Sequence, residues 1–281
     1  MTTTTEPPIT KERTTMAESK SRKAARRRYG RLAPRVTVLA VLLGGWWAFA
    51  AAGVISEDLV PTPLGTVRAW AELVVTAEYW NSILETLRGA AAGLLFAMVI
   101  GVPIGLLTGT YAALERCTRV LFDVLRTFPG IAMLPVFLLI LGATFTMKAV
   151  VVFIACVFII VLQAQYGARS VTPTIRETVR AYRIPKRLWF RRVVLPSSIP
   201  SIMTGLRLAA ALSVLVAIGV EVLTTVPGIG FRVTEAQLGN DSSSAWAYIL
   251  TAGVLGFLIV VMSELAESRL LRWRPSSRLE M

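Results

Sequence analysis

Apolar residues gather along this chain in six runs, roughly 36–55, 86–108, 119–142, 147–168, 204–226 and 245–265. Each is close to the roughly 20 residues that carry a helix through the hydrocarbon core of a bilayer. The pattern therefore predicts an all-α protein with six crossings and both ends on one side. The segments between the runs differ from one another. Residues 1–35 are Thr-rich and then basic, with too little apolar material to pack, which predicts a disordered tail whose end rests on membrane lipid. The connection after the first run turns at Pro61 and Pro63 and then sets apolar and aromatic residues at helical spacing, predicting a helix along the membrane surface. Residues 269–281 form a second short tail. The sequence Ala48-Phe49-Ala50 before Ala51 looks like a signal-peptidase site. A preceding segment of some 35 residues is long for such a leader, however, and the apolar run continues past the site, so the run is read as a span.

Inside the runs, Gly89, Gly93, Gly101, Gly105 and Gly109 recur at intervals of four or eight and share a helix face, which predicts close packing against another helix. Pro103 and Pro135 predict kinks. Charged and polar groups within a span are expensive and worth locating. Asp123 and Arg126, three apart, are expected to pair, and Arg207 to snorkel from the start of the fifth span. Glu221 lies late in the fifth span without a basic residue near it in sequence. The readings that fit it are a gate or pathway group, an interhelical hydrogen-bonding group and an interfacial position. For Gln163 and Gln165, with Tyr166, at the end of the fourth span, the choice is between lining a pathway and joining helices.

Composition sharpens this picture. Hydrophobic residues make up 54% of the 281 and charged residues 17%, and mean hydropathy is +0.63, a balance belonging to membrane proteins. There is no His, which removes the commonest general base and metal ligand. Cys117 and Cys156 suggest free buried thiols and no metal site. The net charge of +13 is a matter of placement: ten of the 30 basic residues lie in 1–35, eight in 169–192, four in 269–278 and two, Arg116 and Arg119, near 109–119. Only Arg68, Lys148 and Arg232 fall on the opposite side, so the positive-inside rule puts both termini and the segment 172–200 in the cytoplasm. No nucleic-acid partner is expected, since basic and aromatic residues do not interleave in a soluble module.

The segment RETVRAYRIPKRLWFRRVVLPSSIP, residues 176–200, is the least expected part of the chain. A helix starts just before it, either with Thr172 as N-cap and Pro173 in the first turn or with Thr174 and Glu177 as a capping box. Pro185 ends that helix near Arg183 or Ile184 and opens a second over 186–194, which Leu195-Pro196 then breaks. Leu188, Trp189 and Phe190 are left exposed. The segment reads either as a solvated basic loop or as a docking knob for another protein.

Its spacing resembles the cytoplasmic signature of bacterial ABC importer permeases, E-A-A-x3-G-x9-I-x-L-P. Glu177 stands at the E, Val193 at the I, and Leu195 and Pro196 at the closing L-P; Thr178 and Val179 replace the alanines and Arg183 the glycine. VPTPLGTV, LRGAAAGLLFAMVIGVPIGLLTG, LRTFPGIAMLPVFLLILG, GLRLA and PGIGF are similar, in order, to segments of the sulfonate, taurine and nitrate permeases, so the resemblance spans roughly 36–268. It implies a type I importer permease fold in the bacterial inner membrane. The ATPase-coupling residues would be Glu177, Ala181, Arg183, Pro185, Leu188, Val193, Leu195 and Pro196. It also implies two cytoplasmic ATP-binding subunits, a second permease copy forming a homodimer, and an extracytoplasmic solute-binding protein. No G-x-x-x-x-G-K-[ST] loop occurs, so the chain supplies no Walker-type ATP site; the resemblance implies that it binds no cofactor of its own, that ATP is used by the partner subunit and that the chain is no enzyme. The rival readings are weaker: an ion-coupled porter needs midplane carboxylates and repeats, and a membrane enzyme needs a cluster of reactive groups.

Overall fold

The computed structural model describes residues 37–38, 40–51, 59–125 and 130–270. The tail 1–35, Arg126 and most of 269–281 lie outside them. Chain contacts divide the protein into a first unit ending at Gly65 and a second from Thr66 onward. In the first unit the described residues Ala40–Ala51 form an apolar helix, α1. The surface helix expected after Pro61 is α2, Pro63–Val74.

Among the described residues, four uninterrupted helices of the second unit are long and apolar enough to span a membrane: α3, Ala77–Thr110; α6, Phe145–Arg169; α9, Leu195–Leu223; and α11, Ser242–Leu270. Helix α3 begins well before the apolar run expected at 86. Thr76 caps it by accepting from the Tyr79 N–H at 3.3 Å, and its first turns bury Tyr79, Ser82 and Thr86 against protein rather than lipid. Its 34 residues extend about 51 Å at 1.5 Å each, longer than the hydrocarbon core. Pro103 is accommodated without ending it. The loop expected near 109–119 shrinks to Tyr111, and Arg116 and Arg119 ride on α4, Ala112–Leu125. The third span is a broken one: α4 and the segment Gly130–Leu141, a 3-10 turn leading into α5, Leu134–Leu141, meet at 73°. Pro135 lies in the first turn of α5, where its missing N–H is no loss, and Gly142 with φ +65° ends it.

The glycines of α3 explain how the helices assemble. A Cβ at Gly93 would fall 2.6 Å from Val152, one at Gly101 3.2 Å from Ile160, and one at Gly105 2.3 Å from the Val161 carbonyl oxygen. Position rises together along both helices, so α3 and α6 run parallel with their backbones nearly touching. Two parallel neighbours require the chain to return between them, and α4 with α5 is that return. Helix α9 lies antiparallel to α6: Gly205 packs on Gln163 and Gly167 on Ser198. The core between these helices is built from Met147, Val152, Cys156, Ile160, Ala209 and Val220 with their neighbours.

The two ends of this bundle are finished differently. At one end α10, Ile229–Leu238, which the apolar pattern does not announce, packs with Tyr79, Tyr248 and Trp70. The Trp70 indole donates to Tyr79 Oη at 3.1 Å and Thr251 Oγ1 at 3.2 Å, and Arg232 pairs with Glu78 and Glu235. The other end carries Thr110, Arg169 and the basic segment, and is called the basic end below.

Candidate functional site

At the basic end the chain leaves α6 and forms α7, Pro173–Ala181, with Thr172 at the N-cap and Pro173 in the first turn. Of the two starts the sequence allows, this one is realised. Helix α7 closes with the Arg183 N–H on the Arg180 carbonyl at 3.1 Å and the Ile184 N–H on the Val179 carbonyl at 3.0 Å. This pairing is a Schellman ending, and it places Arg183 in the left-handed region at φ +48°. Glycine is the usual occupant; a side chain there costs about 1–2 kcal/mol. Pro185 then caps α8, Lys186–Trp189, whose Leu188 and Trp189 amides donate to the Pro185 carbonyl.

The break expected at Leu195-Pro196 does not occur. A π turn over Phe190–Val194 widens the ladder, and the Leu195 N–H reaches the Phe190 carbonyl five residues back. Pro196, which cannot donate, falls in the first turn of α9 just past the wide turn, so helix runs without interruption from Lys186 to Leu223. The fifth span thus starts far earlier than 204.

Of the residues singled out in the sequence, Glu177, Ala181, Arg183, Pro185, Leu188, Leu195 and Pro196 are exposed and Val193 is half-buried. Leu188 is 42% exposed, and Ile175 and Tyr182 share its exposure. Trp189 and Phe190, expected at the surface, instead pack on Leu106, Ala164, Ala168 and Val194, and so seat α8 on the bundle. Between α7, α8 and the ends of α3 and α6 lies a groove of about 390 Å³ with Arg176, Arg180, Arg183 and Lys186 on its walls. Arg169 does not join them; it pairs with Glu115 of α4.

At the far end, Glu221 has a partner that sequence separation hides. Lys148, read above as an exposed topological charge, is fully buried in the first turns of α6, and its Nζ donates to Glu221 Oε1 at 2.9 Å. It also donates to the carbonyls of Glu85 and Pro227, each at 3.0 Å, so all three of its protons are used. Glu221 Oε2 accepts from Thr86 Oγ1 at 2.8 Å and from the Gly230 N–H at 3.0 Å, and Thr86 Oγ1 accepts from the Ile229 N–H at 2.9 Å. Gly228 is obligatory, because a Cβ there would lie 2.1 Å from the Glu221 carboxyl carbon. One ion pair thereby ties α3, α6 and α9 to the loop that opens α10.

The remaining polar residues lie as follows. Gln163 meets Gly205 of α9, and the Gln165 backbone meets Gly105 and Gly109 of α3. Arg207 does more than snorkel: it pairs with Glu267 at 3.3 Å and Glu264 at 3.9 Å on α11. Cys156 is buried as expected, whereas Cys117 is exposed on α4. Among the described residues no group of His, Cys, Asp or Glu could hold a metal.

The family described as binding-protein-dependent transport system inner membrane component matches residues 101–272. A Bacillus subtilis protein named as an aliphatic sulfonates transport permease, SsuC, is 28% identical over 93% of this chain and 95% of its own length. The nitrate import permease protein NrtB of Leptolyngbya laminosa is 27% identical over 84% of this chain and 86% of its own length. The bicarbonate transport system permease protein CmpB of Synechococcus elongatus is 31% identical over 64% and 65%. Among solved structures, a chain of the MetNI methionine ABC transporter in an inward-facing conformation superposes with a TM-score of 0.58 at 20% identity, over 68% of this chain and 94% of that one.

Proposed function

The chain belongs to the binding-protein-dependent transport system inner membrane component family, and from that premise we propose that it is the permease subunit through which a small oxyanion, of the sulfonate or nitrate kind, is imported. As in its relatives, it is a multi-pass inner-membrane component of an ABC transporter and no enzyme. The three relatives given above are named for sulfonates, nitrate and bicarbonate, all small solutes with delocalised negative charge, which supports the anion reading. The basic end faces the cytoplasm, as the charge bias requires. Two ATP-binding subunits dock on α7 and α8 of paired permease copies, and a solute-binding protein delivers from the α10 side.

One observation carries the mechanism. Helix is continuous for 38 residues from Lys186, in the exposed docking segment, to Leu223, two residues beyond Glu221. A displacement of α8 by an ATPase is therefore passed along the α9 rod to the Lys148–Glu221 pair at the opposite surface. Glu177 and Leu188 present a charge and an apolar contact to the ATPase; Arg183 and Pro185 set the bend that aims them. Closing of the ATPases on ATP draws the paired segments together and turns the cavity outward. Glu221, the carboxylate on which an ion-coupled porter would have to rely, is fully engaged by Lys148, Thr86 and Gly230, which disfavours that alternative.

The test is to purify the tagged chain from its native membrane in mild detergent and identify its companions. An ATP-binding subunit should come with it and be lost from the Glu177→Lys and Leu188→Ala variants. A chain that purifies alone, under conditions holding a known importer together, would overturn the proposal.

A further inference from the structure

We propose that the groove behind α7 and α8 is a binding site for the phosphate of an anionic phospholipid headgroup. The proposal rests on the cytoplasmic placement of this segment given above. Four cations, Arg176, Arg180, Arg183 and Lys186, stand around one cavity, and among the described residues no acidic side chain lines it. Among the described residues none of the four has a carboxylate partner; Arg176 gives one N–H to the Arg169 carbonyl at 3.3 Å. Like charges gathered without a counterion repel one another, so the arrangement is stabilised by an anion from outside the chain.

Two features choose a lipid over a free ion. The inner wall is apolar and aromatic, with Trp189, Phe190 and Val194 beside the cationic rim, so the ligand it suits has an apolar part attached to its charge. The groove also opens where α3 and α6 end, at Thr110 and Ala168, the end of the bundle that the proposed orientation turns toward the cytoplasmic leaflet. Basic pockets between helices on the cytoplasmic side suit such headgroups. Arg183 adds an independent argument. Its backbone holds the left-handed conformation that glycine adopts without strain, yet the side chain is retained, and that side chain is one of the four on the groove.

That same residue makes the test clean, because Arg183→Gly removes a cation while suiting the bend. The complex, purified with its companion subunits, would be placed in nanodiscs containing phosphatidylglycerol and phosphatidylcholine, and the lipid retained on release measured by native mass spectrometry. The parent should keep about one phosphatidylglycerol per permease chain. Arg183→Gly and Arg180→Gln should each lower retention about fivefold, the share of one basic residue at an anionic surface, and neither inorganic phosphate nor a small sulfonate at millimolar concentration should displace the lipid. Equal retention by both variants would overturn the proposal. Displacement by the free anions would also overturn it, since the site would then belong to a soluble ligand. So would retention by the isolated permease that vanishes when the ATPase is bound, since the groove would then be part of the docking surface. Lipid retention and subunit capture are read separately in one preparation, so failure here is distinct from failure of the importer reading.

Discussion

Lys148 and Glu221 are 73 residues apart and share a position where neither could stand alone. Removing one partner leaves the other charged or unsatisfied in a dry site, a loss of about 3–5 kcal/mol, whereas removing both exchanges a costly pair for apolar packing. Lys148→Met and Glu221→Leu should each lower the thermal transition of the detergent-purified chain sharply, and the double variant should recover most of that loss. Equal loss in all three would mean the pair makes no coupled contribution. Gly228→Ala should resemble the single variants, because its methyl group would occupy the space of the Glu221 carboxylate. From the sequence, Glu221 stands out by its cost in a span, but Lys148 reads as an ordinary flanking cation. Nothing in periodicity reveals that a basic residue at the start of one helix turns inward to meet an acid at the end of another.

Between elements, the face shared by Gly89, Gly93, Gly101, Gly105 and Gly109 was legible from spacing alone, and its packing role is what α6 supplies. The identity of the partner was not legible, since small residues permit approach without specifying to whom. Gly105→Ala should cost about 1–3 kcal/mol, as overpacking does, and appear as a lowered transition in thermal unfolding. Gly253→Ala on α11, where a Cβ meets nothing within 4 Å, is the matched control and should be neutral. The caps at Thr76, Thr172 and Pro185 follow from residue chemistry, and the first bend of the basic segment was readable for that reason. The continuity past Pro196 was not, because a π turn leaves no mark in propensity; it is a local answer to a missing N–H that the surrounding helix makes favourable. Trp189 and Phe190 were misplaced for a related cause: in an amphipathic segment the face that docks on the bundle depends on how the helix leaves it.

At the level of the whole molecule, the parallel run of α3 and α6, the antiparallel α9 and the broken return through α4 and α5 give a bundle whose two ends differ in charge and in how they are closed. The charge bias assigns those ends to opposite compartments, and this is directly checkable. In a chain whose Cys117 is replaced by Ser, a cysteine at Thr178 should react with a membrane-impermeant maleimide only after the cells are opened. A cysteine at Asn240, in the turn between α10 and α11, should react in intact spheroplasts. The reverse pattern would invert the assignment and remove the basis for docking at α7. The all-helical, membrane-spanning class was legible because apolar run length is summed over many residues; the helix starts at 77 and 186 were not, because protein contacts, not hydropathy, decide where a helix begins.

The wide turn over Phe190–Val194 is also a statement about how such a chain can vary. A π turn is an α-helical turn holding one residue too many, and each residue of an α-helix advances the azimuth by about 100°. Deleting a single residue there would restore regular winding and leave the side chains on both sides of the turn near their present phase, because the extra residue is taken up within the turn itself. The turn is thus a place where the chain can gain or lose one residue without re-aiming the helix on either side of it.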